Sequence, residues 1–127
     1  MVRCNVGSTV KRRVLLVEDE AIIRLIGSDA LEDAGYEVLD AASADEALRI
    51  LETIDDVAIV FTDIRMPGSM DGLELARLVH ERWPDIRLLI TSGDTWPPRA
   101  LIPDEGRFIA KPYELGQLRC EVSRLLD

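Results

Sequence analysis

The 127-residue chain is poor in several residue types, and each shortage closes off a class of function. Its two cysteines, Cys4 and Cys120, lie near opposite ends without a CxxC pair, and His80 is the single histidine, so zinc binding and dithiol redox chemistry lack their ligands. The thiols read as reduced cysteines of a cytoplasmic protein. No apolar run approaches the ~18 residues of a membrane span. The opening stretch from Met1 to Arg13 has basic residues but no apolar segment before them, so it does not read as a secretion signal. Positive charge is scarce too: 15 Lys plus Arg stand against 24 Asp plus Glu, a net charge of −9. That balance repels phosphate backbones and anionic lipid, so neither direct nucleic-acid binding nor membrane binding is expected. Arg3, Lys11, Arg12 and Arg13 fall in a stretch without acids, which leaves the remainder more acidic than the whole. A chain of this length holds one core. We expect a mobile lead-in over residues 1–12 and one domain over 13–127.

What is present is a rhythm. Val14-Leu15-Leu16-Val17, Val38-Leu39, Val57-Ala58-Ile59-Val60-Phe61, Leu88-Leu89-Ile90 and Phe108-Ile109-Ala110 are short runs rich in branched residues, the pattern of strands buried on both faces. Between them lie helical patterns. Ile22, Ile23, Ile26, Ala30, Leu31 and Ala34 share a helical spacing, and Gly35 supplies a left-handed end. Ser43 with Glu46 makes a capping box, with Ala47, Leu48 and Leu51 on one face. Leu73, Leu75, Ala76, Leu78 and Val79 predict a third helix stopped by Pro84, and Leu115, Leu118, Val122, Leu125 and Leu126 a last one. Alternating strands and helices imply right-handed parallel crossovers, hence an α/β, doubly wound, five-stranded parallel sheet. Pro97, Pro98 and Pro103 interrupt the segment 94–106 where a further helix belongs, so that helix is expected to be short or irregular.

In such sheets ligands bind at the carboxyl ends of the strands. Glu18, Asp19 and Glu20 follow the first run, Asp63 the third, Thr91 and Ser92 the fourth, Lys111 and Pro112 the fifth. Converging carboxylates ~4 Å apart repel by about 4 kcal/mol per pair at an effective dielectric near 20. Positive charge must therefore sit among them, or they take up protons. Lys111 supplies one charge, and hard oxygen donors on a water-accessible site favour Mg2+ over metals that prefer His or Cys. An aspartate beside such a cation is prepared to attack a phosphoryl group.

These residues resemble the receiver domain of two-component response regulators over nearly everything from Arg13 to Leu126. The resemblance is carried by Val14-Leu15-Leu16-Val17-Glu18-Asp19-Glu20, Asp63-Ile64-Arg65-Met66-Pro67 with Met70-Asp71-Gly72, Thr91-Ser92-Gly93, and Lys111-Pro112. It implies that Asp63 accepts a phosphoryl group from a sensor histidine kinase or phosphotransfer protein. It implies that Asp19 and Asp63 ligate Mg2+ directly, Glu18 through water, and Arg65 through its backbone carbonyl. Lys111 would meet the phosphoryl oxygens from a cis Lys111-Pro112 peptide, Ser92 would be the switch hydroxyl with Thr91 as the alternative, and Phe108 the switch aromatic. The chain departs from the common pattern in having Glu18 for an aspartate, an extra residue within 67–71, no hydroxyl on Phe108, and the proline-broken segment. Arg65 and Asp94 each stand two residues beyond a site residue, and their opposite charges invite a pair across the site's mouth.

The expected function is thus a phosphoacceptor rather than an enzyme, of the stand-alone receiver type, that switches affinity for a downstream protein partner not identified by the sequence. Three alternatives compete. An aspartyl-nucleophile phosphatase usually carries a second aspartate two residues after the nucleophile, where this chain has Arg65. A receiver-fold scaffold without phosphorylation would not need the intact acidic set and Lys111. A flavin or nucleotide site lacks its glycine-rich loop after the first strand. Trp96 reads as cover for the proline-broken region, Trp83 as packing at a helix end, and His80 as a solvated helix residue.

Overall fold

The computed structural model describes residues 12–66, 68, 70–93 and 106–126. Strands β1 (Arg13–Val17), β2 (Glu37–Ala41), β3 (Val57–Asp63), β4 (Arg87–Ser92) and β5 (Arg107–Ala110) form one parallel sheet in the order β2-β1-β3-β4-β5. Around it lie helices α1 (Ala21–Asp33), α2 (Ala44–Thr53), α3 (Gly72–Arg82) and α4 (Leu115–Leu126). The chain is thus the expected doubly wound α/β domain, with its direction of winding reversing between β1 and β3. The lead-in apart from Arg12, the proline-broken segment apart from Gly106, and with them Asp94 and Trp96, lie outside the described residues.

Local chemistry explains the ends of these elements. The Ser43 hydroxyl accepts from the Glu46 amide at 3.2 Å, while the Glu46 carboxylate reaches back to the Ala42 amide at 2.6 Å, closing a capping box at α2. At the end of α1, Gly35 takes φ +101° and donates to the Glu32 carbonyl, and the Tyr36 amide bonds the Leu31 carbonyl, which satisfies two carbonyls the helix would otherwise leave open. Asp71 caps α3 by accepting from the Glu74 amide at 2.9 Å. That helix ends at Arg82, just before Trp83 and Pro84; Trp83 packs against the core and carries the Arg82 guanidinium over its ring.

Alternate residues of the strands feed two cores. Leu15, Val60, Leu88 and Ile90 meet Ala47, Leu51, Leu75 and Val79 of α2 and α3, while Leu16, Ile59, Phe61 and Leu89 meet Leu31, Leu118 and Val122 of α1 and α4. Burial on both faces accounts for the continuous apolar runs, each large side chain contributing about 1.5–3 kcal/mol.

In α1, Ile22 and Ile26, which share a helical spacing with Ala30 and Leu31, are 74% and 48% exposed, and Leu25 between them is 61% exposed. The helix begins beyond the carboxyl end of β1, so only its second half, with Gly27, Ser28, Ala30 and Leu31 buried, lies against the sheet. Its first half leaves an apolar face beside the strand ends.

Candidate functional site

The carboxyl ends of β1, β3 and β4 hold five of the six buried polar or charged side chains among the described residues: Glu18, Thr62, Asp63, Thr91 and Ser92. Parallel pairing brings them there, since Val17 lies beside Thr62 and Asp63 beside Thr91. Lys111 follows β5, its amide bonded to the Ser92 carbonyl at 3.0 Å. The Lys111-Pro112 peptide is cis.

Within this group the Lys111 ammonium donates to Asp63 Oδ2 at 2.6 Å and to Glu18 Oε1 at 3.1 Å. Asp63 Oδ1 accepts from the Arg65 amide at 3.3 Å, and Glu18 Oε2 from the Glu20 amide at 3.1 Å. Asp19 is exposed, yet one carboxylate oxygen from each of Glu18, Asp19 and Asp63 lies within 4.8 Å of the others. Three hard anionic donors at that spacing, on an edge open to water through Asp19, suit Mg2+ or Ca2+ rather than a softer ion.

The electrostatics follow from burial. Desolvation pushes the Glu18 carboxyl up, and the Glu20 amide and Lys111 only partly offset it. Burial works against the Lys111 ammonium, but its bonds to Asp63 and Glu18 outweigh that cost and raise its pKa, so it stays charged. Beside it the Tyr113 phenol is also pushed up by burial; its ring meets Phe61 edge to face with centroids 5.8 Å apart. Lys111 offsets one of three carboxylate charges, which leaves net negative charge at these strand ends.

Of the expected site residues, Glu18, Asp19, Asp63 and Lys111 come together, and Arg65 brings its backbone to Asp63. β4 runs through Thr91 to Ser92. The β4–β5 register, Ile90 beside Phe108 and Ser92 beside Ala110, puts Ser92 and Phe108 on one face, where Phe108 packs half-buried on the α2/α3 core. Thr91 faces the other side, its hydroxyl buried without a hydrogen-bond partner among the described residues. Phe108 is the second residue of β5 and so sits below the carboxylates, not among them. The proposed Arg65–Asp94 pair falls outside the described residues through Asp94.

Two contributors were given no structural role by the sequence. The Arg24 guanidinium donates to the Glu18 carbonyl at 2.7 Å. Gly72 brings the start of α3 against the end of β3: a Cβ there would stand 1.9 Å from the Asp63 carbonyl oxygen. Its amide bonds the Ile64 carbonyl at 2.8 Å, which fixes the backbone that aims Asp63. The Asp71-Gly72 pair was the available signal for the second; nothing in the spacing marked the first.

Comparison with known proteins agrees with this geometry. Residues 14–123 match the family model described as the response regulator receiver domain. The chain is 40% identical over 118 residues to the sensor kinase CckA of Brucella abortus, covering 90% of this chain but 12% of the kinase. It is 34% identical over 120 residues to the response regulator receiver protein CpdR of the same organism, covering 91% and 97% of the two chains. Among solved structures, a response regulator receiver protein from Sinorhizobium medicae superposes with a TM-score of 0.85 at 33% identity, over 94% and 97% of the chains. The response regulator protein TrrA of Thermotoga maritima, in complex with Mg2+-BeF, gives 0.78 at 27% identity over 91% and 99%.

Proposed function

The chain belongs to the response regulator receiver domain family of two-component signalling, and from that premise we propose that Asp63 is its phosphoacceptor, serving a histidine kinase or phosphotransfer protein with Mg2+ as cofactor. The observation that carries the reading is the Lys111 ammonium 2.6 Å from Asp63 Oδ2, inside a ring of three carboxylates. In the reaction an Asp63 oxygen attacks phosphorus and the bond from phosphorus to the donor's imidazole nitrogen breaks, the nitrogen keeping the electron pair. Lys111 offsets charge on the arriving phosphoryl oxygens, and the Arg65 amide holds Asp63 Oδ1, which leaves Oδ2 on the side of Lys111 to attack. Glu18, Asp19, Asp63 and the Arg65 carbonyl would hold the Mg2+, which when bound supplies the positive charge that this anionic transfer requires.

Ile23 and Ile26 of α1 line a groove of ≈ 460 Å³ together with Lys111 and Leu115, and Ile22 and Leu25 of the same helix turn are exposed beside them. This apolar face supports docking of the protein that carries the phosphohistidine, and the relative named as a sensor kinase fits such a donor. Ser92 serves as the switch hydroxyl in this reading, since it shares a face with Phe108 while Thr91 does not. Signalling then proceeds by a changed affinity for a downstream protein partner. No helix among the described residues is long and apolar enough to cross a membrane, and the reading assigns the protein to the cytoplasm, where kinases draw on ATP.

Incubation with Mg2+ and acetyl phosphate tests the assignment. The wild type takes up one phosphoryl group and Asp63→Asn takes up none; equal labelling of the two refutes it.

A further inference from the structure

Arg24 touches none of the three carboxylates through a hydrogen bond, yet it reaches back from the second turn of α1 and donates from Nη1 to the Glu18 carbonyl at 2.7 Å. On its other side Glu18 is held by β2, its amide donating to the Ala41 carbonyl at 3.0 Å. The residue is therefore gripped at both backbone groups, and Asp19 leaves from the peptide that Arg24 holds. A guanidinium is suited to this place: its charge shortens the bond to a carbonyl that lies at a strand's end among anionic groups.

We propose that Arg24 is a positioning residue for the cation site, fixing the direction in which the Glu18 and Asp19 carboxylates leave β1 and thereby setting the affinity for a divalent cation. The inference rests on reading Glu18, Asp19 and Asp63 as cation ligands. Its sign separates it from a mere charge effect. By charge alone, removing a guanidinium near the ion would tighten binding. If Arg24 positions the ligands, its removal weakens binding, as loss of partners behind a metal's ligands does by 10- to 100-fold.

Calorimetric titration of Mg2+ into the full chain distinguishes these cases. For Arg24→Ala the dissociation constant rises about tenfold, and Arg24→Lys, which keeps the charge and one donor, recovers part of the loss. Phosphorylation of Arg24→Ala by acetyl phosphate slows at limiting Mg2+ and recovers at saturating Mg2+, a response that general destabilisation does not give. Unchanged or tighter Mg2+ binding by Arg24→Ala overturns the proposal, as does a lowered melting temperature with an unchanged dissociation constant. Should Arg24→Ala fail to fold, Arg24→Lys carries the same test: weaker Mg2+ binding than wild type supports the proposal and equal binding overturns it. A wild type that binds no Mg2+ refutes the cation site itself, whereas a wild type that binds while the variants match it refutes the role of Arg24 alone.

Discussion

The two edges of the sheet carry the same kinds of residue in opposite states. At the amino edge four of the five strands open with Arg13, Glu37, Arg87 and Arg107, all of them reaching solvent, with Arg13 paired to Glu37 at 3.3 Å and Arg107 to Glu121. At the carboxyl edge Glu18 and Asp63 are 2% and 7% exposed, and Lys111 bonds both. Water solvates either member of an exposed pair alone, so such a pair contributes about 0.2–1 kcal/mol. A buried charge has lost that alternative and depends on its partners. Charge is abundant throughout this acidic chain, but chemistry concentrates where charge has been taken out of water.

Substitutions matched across the two edges sharpen this contrast. The largest effect is expected at Lys111. Lys111→Met leaves Glu18 and Asp63 facing each other without their ammonium, and we expect phosphorylation by acetyl phosphate to slow about 100-fold, in line with removal of a charge-stabilising donor. Arg107→Met, four residues earlier at the other edge, leaves the phosphorylation rate unchanged; comparable slowing of both would erase the distinction. Next comes Gly72→Ala, whose Cβ would collide with backbone at the end of β3. It should cost about 3 kcal/mol in urea unfolding, whereas Gly116→Ala in α4, where a Cβ meets nothing within 4 Å, should be neutral or slightly stabilising. Smaller still is Arg13→Ala, expected to cost at most about 1 kcal/mol in the same measurement. Last, Leu25→Ser on the exposed face of α1 should leave the melting temperature within about 2 °C of wild type. It should slow transfer from a phosphohistidine protein but not from acetyl phosphate; equal slowing from both donors would deny α1 a docking role.

The fold was legible because its signals are local. Branched runs, the Ser43–Glu46 box and Gly35 each act within a few residues, and each appears where the spacing puts it. The site was legible for a related reason: a parallel sheet gathers its strand ends, so acids and a lysine that follow successive runs must meet. Where the reading fell short, the cause was three-dimensional. Helical spacing told that Ile22 and Ile26 share a face, but not that α1 starts beyond the sheet and leaves that face uncovered. The bond from Arg24 to the Glu18 carbonyl has no sequence signature, because a backbone acceptor is the same at every position. Gly72 could be seen as a glycine at a helix start, but only the approach of α3 to the Asp63 carbonyl shows why no other residue fits.

Asp63, among all the acids of this chain, is the one proposed to accept phosphorus. Borohydride reduction of the phosphorylated protein converts an aspartyl phosphate to homoserine, and peptide mass spectrometry then reads its position. Homoserine is expected at residue 63 alone; homoserine at another acid, with Asp63 intact, would refute the assignment.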